Sequence, residues 1–273
     1  MKFLSAIGLM LIAALSIASA QPRSKTASLT RSQTREAESL LSEMGFWTGA
    51  VDGVFDTATR SALIAFQKWE GRPATGELTF DELEAIRSGV PAKPREAGYG
   101  HVEVDLDRQV LMLVNNDGRV RVLPVSTGNG EQFVDEGQQS IAYTPRGRFL
   151  VYEKEAGWHT GPLGSTYYAN FISGGVAIHG SRNVPAQPAS HGCIRVPMFA
   201  AREVSKLMPV GTIVLVYDKV SFVSAKDWIE NPKLKEAALL NVAAGDYGYV
   251  TDVPALRSKL LAPGKPRSRT IRA

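Results

Sequence analysis

A single cysteine and two histidines lie close together in the sequence. Cys193 is the only cysteine in the 273 residues, and His179 and His191 precede it by 14 and two positions. A thiol attacks as its thiolate, and a nearby imidazole is the usual group that takes the proton. His179 can do this if the fold brings it beside Cys193, whereas a loop neighbour two residues away does not readily reach the thiol. The backbone N–H groups of His191, Gly192 and Cys193 can instead stabilise an oxyanion.

Two other roles remain open from the residue types alone. A single buried cysteine is commonly an inert apolar side chain. One cysteine and two histidines could also contribute to a zinc site, if His101, His159 or a carboxylate supplied further ligands. The sequence has no second cysteine and no H-x-x-x-H or C-x-x-C spacing. These absences argue against a zinc site, and no metal or cofactor is expected. They leave the choice between an inert cysteine and a nucleophile to the surrounding sequence.

The motifs around these residues resemble a known family. The sequence I-H-G at 178–180, followed by S-H-G-C-I-R at 190–195, is similar to the signature of the L,D-transpeptidase catalytic domain (the YkuD family). V-S-T-G at 125–128 and T-P-R-G-R-F at 144–149 resemble further elements of that family. Its members are cysteine enzymes that remodel bacterial peptidoglycan.

The resemblance implies a role for each signature residue. Cys193 is expected to be the nucleophile and His179 its base. The backbone carbonyl of Gly180 is expected to accept from the second ring nitrogen of His179 and so to fix its tautomer. Ser190 is expected to tether the loop through its hydroxyl. Arg195 either holds a carboxylate of the substrate or orients the loop through a structural ion pair.

Residues 1–20 have the features of a secretory signal peptide. A positive start at Lys2 precedes an apolar run and the small residues Ala18-Ser19-Ala20, a pattern that predicts cleavage after Ala20. The alternative is an N-terminal membrane anchor, for which the apolar run is short. Export places the protein in the periplasm or cell wall. In that oxidising setting most cysteines pair, so a single one indicates a working thiol.

Composition and charge restrict the choice of partners. Apolar residues make up 44% and charged residues 21%, and the net charge is +4, which is ordinary for a globular protein. Nucleic acid is not an expected partner. Residues 219–273 form a C-terminal extension whose last 17 residues carry six Lys or Arg and no acid. This basic tail is predicted to be disordered, and it could alternatively adhere to anionic wall polymer or lipid.

Residues 28–88 are predicted to form a small three-helix bundle. Helical periodicity covers 30–43, 57–68 and 80–86, with Asp56 or Thr57 and then Thr79 as candidate N-caps. D-G-V-F at 52–55, T-x-x-A at 59–62 followed by F-Q at 66–67, and T-G-E-L at 75–78 resemble the three-helix peptidoglycan-binding domain.

Residues 89–98 are predicted to be a linker, and residues 99–218 a mainly β catalytic domain. Apolar and polar residues alternate after His101, a turn falls at residues 115–118, and a helix is expected at 197–208. Residues 129–140 are expected to be a surface loop and 149–153 a single strand. Family members place a mobile flap near residues 158–171, whose aromatic residues could line an acceptor cleft or pack as a lid. The fold class is therefore α+β with several domains.

The sequence thus predicts an exported L,D-transpeptidase of cell wall biogenesis and cell shape. The resemblance implies a stem tetrapeptide as acyl donor, a thioester on Cys193 and an amine as acceptor. The acceptor could be another stem, a wall protein or a free D-amino acid. One alternative is hydrolysis of the same acyl-enzyme by an L,D-carboxypeptidase or amidase. Another is a non-catalytic wall-binding adaptor.

Overall fold

The computed structural model describes residues 29–135 and 137–219. The predicted signal peptide and the basic tail lie outside the described residues. The helices are α1 (Arg31–Glu43), α2 (Thr57–Trp69), α3 (Phe80–Arg87) and α4 (Met198–Leu207). The strands are β1 (His101–Asp105), β2 (Val110–Val114), β3 (Val120–Pro124), β4 (Gln132–Asp135), β5 (Gln138–Ile141), β6 (Gly147–Leu150), β7 (Glu153–Lys154), β8 (Trp158–Gly161), β9 (Gly164–Ser173), β10 (Val176–Ser181), β11 (Ile194–Pro197) and β12 (Ile213–Tyr217).

Side-chain caps begin the three N-terminal helices. Thr30 and Gln33 form a capping box at α1, and Asp56 accepts from two backbone N–H groups at the start of α2. Thr79 accepts from the N–H of Glu82 at α3. Each cap satisfies N–H groups that have no partner within the helix. The helices therefore begin where the sequence predicts.

Two five-stranded sheets enclose the core of the catalytic domain, beside the small β4–β5 sheet. One has the strand order β3-β2-β1-β12-β6, and the other has the order β11-β10-β9-β7 with β8 paired to β9. Apolar residues of both sheets and of α4 pack into one buried cluster that includes Val104, Leu111, Ile178 and Ile194. The α+β fold class predicted from the sequence is confirmed.

The three N-terminal helices pack on the opposite face of the first sheet. One buried cluster joins Leu41 and Phe66 of the helices to Met112 and Val122 of the sheet. Phe46 also lies beside the edge strand β3, and the N–H of Val122 donates to Gly45 at 2.8 Å. A helix bundle this small has few core residues of its own, and the sheet supplies the rest. The helices and the catalytic domain share one packed interior.

The predicted linker is also packed against the catalytic domain. The N–H of Ala92 donates to Met44 at 3.1 Å, and Ala92 is buried. The N–H groups of Arg95 and Glu96 each donate to the buried Glu103 carboxylate at 2.9 Å. This segment therefore fixes the helices and the sheet relative to each other.

Two local predictions were wrong. Residues 129–140, predicted as a surface loop, contain the antiparallel strands β4 and β5. Residues 149–153, predicted as one strand, pass from β6 in the first sheet to β7 in the second. Val151 pairs with the loop before β12, and the N–H of Tyr152 donates to Phe171 of β9. The chain changes sheets here, which a local pattern cannot reveal.

Candidate active site

Two neighbouring parallel strands place Cys193 beside the strand that carries His179. Ile178 pairs with Ile194 and His179 with Arg195, and Cys193 directly precedes β11. The two isoleucines face the core, so the alternate residues His179 and Cys193 fall on the other face of the sheet. The Cys193 Sγ lies 3.4 Å from the N–H of Ala177, two residues before His179 on the same strand. The fourteen-residue separation is closed by the loop between the strands.

His179 is held in one tautomer. Its side chain is buried, and its Nδ1 lies 3.0 Å from the carbonyl oxygen of Gly180. Because a carbonyl only accepts, Nδ1 carries the proton and Nε2 is left as the basic nitrogen. Burial lowers the pKa of His179, and the charge of Arg195 lowers it further, while the Gly180 contact opposes both. The ring is therefore neutral and able to accept a proton at pH 7.

Cys193 is held as a thiol in the resting site. Burial raises the pKa of Cys193, against the opposing effects of the Ala177 N–H and the Arg195 charge. Its Sγ also contacts the carbonyl oxygen of Gly175 at 3.7 Å. A raised thiol pKa and a lowered imidazole pKa favour a neutral pair over a thiolate–imidazolium pair. The proton must therefore leave the sulfur during the attack, which requires a base.

Side-chain hydroxyls fix the loop that carries Cys193. Ser190 Oγ donates to the carbonyl of Cys193 at 2.5 Å and accepts from the N–H of Gly192 at 3.1 Å. Thr144 Oγ1 donates to the carbonyl of Gly192 at 2.7 Å and accepts from the N–H of Gly128 at 2.8 Å. Ser190 and Thr144 are both buried. Three of these contacts hold the loop, and the fourth ties Thr144 to Gly128.

Gly192 occupies a conformation that other residues avoid. Its φ is +135°, and a Cβ placed there would lie 2.9 Å from the carbonyl oxygen of Tyr143. Its N–H is engaged by Ser190, which differs from the predicted use of this group for an oxyanion. The N–H groups of His191 and Cys193 are the remaining candidates from that prediction.

His191 and Arg195 lie on opposite sides of the cysteine in the chain. His191 is exposed, and its ring lies 4.8 Å from that of Phe133 on β4. Arg195 forms no ion pair with a carboxylate of the described residues, although its charge acts on both His179 and Cys193. Within the described residues, the structural ion pair that was one alternative for Arg195 therefore has no partner.

Sequence reasoning did not assign Thr144 to the site. The T-P-R-G-R-F motif at 144–149 marked the family only, and its threonine is the residue that bonds to the catalytic loop. The described residues contain no group of three or more His, Cys, Asp or Glu side chains placed to hold a metal ion. His101 and His159, considered as zinc ligands, instead contact Glu103 and the Ala156 carbonyl.

The β8–β9 hairpin carries the aromatic residues of the expected flap. The Tyr167 ring lies 4.9 Å from Trp158 and 4.7 Å from Tyr168, whose φ is +50°. A cavity of about 450 Å³ lies beside this hairpin, lined by Trp158, Thr160, Ser165, Ser181, Arg182 and Asn183. Among these three aromatic residues, only Trp158 lines the cavity, while Tyr167 packs against both Trp158 and Tyr168.

Comparisons with known proteins agree with this architecture. A family model of the L,D-transpeptidase catalytic domain matches residues 99–216, and a model of a peptidoglycan binding domain matches residues 30–86. The crystal structure of an L,D-transpeptidase from Xylanimonas cellulosilytica is 38% identical, covers 68% of this chain and 93% of its own, and has a TM-score of 0.63. An L,D-transpeptidase from Stackebrandtia nassauensis is 22% identical over 67% and 90% of the two chains, with a TM-score of 0.39. No protein with a curated description matches.

The chain therefore belongs to the L,D-transpeptidase family, a class of peptidoglycan-acting transpeptidases, and carries a peptidoglycan-binding domain on its N-terminal side. Both domain types act at peptidoglycan, in the cell wall or the periplasm. Among the described residues, no helix has both the length and the apolar character needed to cross a lipid bilayer.

Proposed function

We propose that this protein is a cysteine L,D-transpeptidase that transfers the acyl group of a peptidoglycan stem tetrapeptide through a thioester on Cys193. The observation that supports this most is the strand pairing that places Cys193 beside the strand of His179. The His179 Nδ1 contact with Gly180 leaves Nε2 basic, as this reaction requires. Family membership supplies the reaction class.

Acylation is the first half of the reaction. The Cys193 sulfur attacks the carbonyl between the L-centre of the third residue and the terminal D-amino acid, while His179 Nε2 takes the thiol proton. The tetrahedral oxyanion is stabilised by the N–H groups of His191 and Cys193, each typically worth about 3 kcal/mol. The C–N bond then breaks, and His179 returns the proton to the departing amine. A thioester and a free D-amino acid result.

Deacylation restores the thiol. An acceptor amine attacks the thioester carbonyl, and His179 takes a proton from that amine. The C–S bond breaks, the proton returns to the sulfur, and a new amide remains. The Arg195 guanidinium, which lacks a carboxylate partner among the described residues, binds a carboxylate of the donor stem. Hydrolysis follows the same steps with water in place of the amine.

The other domains serve delivery and retention in this proposal. Residues 1–20 direct export and are removed, and residues 28–88 hold the enzyme on the wall polymer. Residues 89–98 connect them to the catalytic domain at 99–218. The basic tail within residues 219–273 adds electrostatic attachment to anionic wall polymer or lipid.

The test follows the products of the purified mature chain with a disaccharide-tetrapeptide by mass spectrometry. A crosslinked dimer is expected, and a tripeptide alone would identify a carboxypeptidase. Cys193→Ser should lower turnover at least about a thousandfold, while binding to isolated sacculi is unchanged. His179→Gln should do the same, whereas the matched control His159→Gln, an exposed histidine, should retain activity. Full turnover by Cys193→Ser would refute the thioester mechanism.

A further inference from the structure

A buried lysine of the N-terminal bundle reaches into the catalytic domain. Lys68 lies in the last turn of α2 and is only 8% exposed. Its Nζ donates to the carbonyl oxygen of Val125 at 2.8 Å and to that of Gln109 at 3.2 Å. Both carbonyls belong to the catalytic domain. The mechanism proposed above makes no use of this buried cation.

The first acceptor, Gln109, holds the segment that follows β3. Gln109 has a φ of +55°, which is uncommon for a residue other than glycine. Its buried side chain accepts from the N–H of Thr127 at 3.0 Å and donates to Thr127 Oγ1 at 2.8 Å. The N–H of Val125 donates to the same Gln109 carbonyl that Lys68 contacts. Lys68 therefore links the turn at Gln109 to Val125, which directly follows β3. The Gln109 side chain in turn holds Thr127.

The segment around Thr127 supports the loop that carries Cys193. The carbonyl of Thr127 accepts from the N–H groups of Ala189 and Ser190, both at 2.9 Å. Ser126 exchanges two backbone hydrogen bonds with Arg195, at 3.0 and 3.2 Å. Ser190 in turn bonds to the carbonyl of Cys193. An unbroken series of short contacts therefore runs from Lys68 to the nucleophile loop.

We propose that Lys68 is a positioning residue for the catalytic loop, so that the peptidoglycan-binding domain completes the active site of the catalytic domain as well as holding the wall. This rests on the proposed role of Cys193. Lys68 acts through the Gln109 and Val125 carbonyls, and its loss allows the Ser126–Gly128 segment, and with it the Cys193 loop, to shift. A misplacement of about 1 Å can cost about a hundredfold in rate.

A purely cohesive role explains the burial of this cation less well. Burial lowers the pKa of Lys68 to about 8, which means that the folded protein bears a cost for keeping the charge inside. An apolar side chain of the same length would avoid that cost but would leave the Val125 carbonyl without the donor that Lys68 supplies. The charge of Lys68 is unfavourable for cohesion, yet its Nζ donates to two carbonyls beside the Ser126–Gly128 segment. This combination fits a positioning role.

The test compares Lys68→Met with Arg121→Met in the full mature chain. Arg121 is the matched control, because it is also a cation at the interface between the two domains. Its guanidinium lies over the Trp47 ring at 5.0 Å, away from the Ser126–Gly128 segment. Lys68→Met should lower kcat about tenfold or more and change KM less than about twofold. It should also change the rate at which iodoacetamide alkylates the single cysteine by at least about threefold. Arg121→Met should leave kcat and alkylation within about twofold of wild type.

Two further variants keep the inference testable if Lys68→Met does not fold. Lys68→Gln retains a donor group and should lose less kcat than Lys68→Met. If Lys68→Met does not fold, Lys68→Gln should itself have a lower kcat than wild type. Thr127→Val removes the hydroxyl contact with Gln109, and combining it with the Lys68 variant should cost less than the sum of the two effects.

The outcomes separate this inference from the proposed function. Equal kcat and alkylation in the Lys68 and Arg121 variants, or additive effects with Thr127→Val, would overturn the positioning role. Absence of turnover in wild type would instead refute the proposed function, and the alkylation comparison would still test Lys68.

Discussion

Replacement of Ser190 by alanine tests the loop geometry most directly. Ser190 is only 2% exposed, and its hydroxyl bonds to both the Cys193 carbonyl and the Gly192 N–H. Alanine leaves a buried donor and a buried acceptor without partners. Each such group costs about 1–3 kcal/mol. Because the loop can relax and admit water, we expect a net loss of about 2 kcal/mol in the free energy of unfolding.

That loss predicts a measurable change in both stability and rate. For a chain of this size, about 2 kcal/mol lowers Tm by about 4–8 °C. The loop would also hold Cys193 less firmly, and kcat should fall about tenfold or more. Thermal unfolding by circular dichroism and turnover of a disaccharide-tetrapeptide by mass spectrometry measure the two effects.

Ser181→Ala is a matched control for this substitution. The Ser181 hydroxyl also makes two contacts with one backbone segment, donating to the Asn183 carbonyl at 3.0 Å and accepting from its N–H at 3.2 Å. These contacts are exposed, so water can replace them at a cost below about 0.5 kcal/mol. If Ser190→Ala changed Tm and kcat no more than Ser181→Ala, the account of the catalytic loop would be wrong.

Three further predictions concern pH, backbone conformation and the N-terminal bundle. Burial lowers the pKa of His179 from its ordinary 6.5 and raises that of Cys193 from 9.0. Below about pH 6.5 the unfolded chain therefore gains a proton on His179 before the folded chain does. Above about pH 9 it loses the Cys193 thiol proton before the folded chain does, so stability should fall on both sides of this window. Thermal unfolding against pH measures this, and Cys193→Ala should reduce the alkaline decline, to which Tyr99 and Tyr217, whose pKa values burial also raises, contribute as well. Gly192→Ala should lower kcat about tenfold or more, because its φ of +135° and a carbonyl 2.9 Å away both oppose a Cβ; unchanged kinetics would contradict this. Glu38→Ala should destabilise the bundle by about 2–4 kcal/mol in urea unfolding, because the buried carboxylate accepts from the N–H of Gly53 at 2.8 Å and from a threonine hydroxyl at 2.9 Å. A change below about 0.5 kcal/mol in the free energy of unfolding would show that water replaces the Glu38 carboxylate as the acceptor.

Local chemistry made several elements predictable. Side-chain caps at Thr79 and Asp56 are signals within one helical turn, and the structure has both helices where these caps predict them. The alternation after His101 marked β1, whose Val102 and Val104 face the core, although the alternate residues His101, Glu103 and Asp105 are buried as well. The expectation that Gly180 faces the His179 ring came from the family resemblance, and the contact measures 3.0 Å.

Other features depend on residues distant in sequence. The pattern at residues 129–140 is polar and glycine-containing, and its hairpin is stabilised by contact between Phe133 and His191. The chain at residues 149–153 changes sheets because each half finds a different partner strand. The partner strands of residues 149–153 are not visible in a local window, whereas β4 and β5 pair with each other but have a mainly polar sequence that gives little strand signal.

The sequence by itself determined the family, the two candidate reacting residues, the helices and several strands such as β1, β10 and β12, because these depend on residue types and short spacings. Only the tertiary structure decided that Thr144 and Ser190 hold the nucleophile loop from two sides, and that the bundle shares its core with the sheet. It also decided that Lys68 lies against the support of that loop. Such contacts arise where parallel strands and packed faces bring remote segments together, and burial then sets the proton affinities of the groups inside.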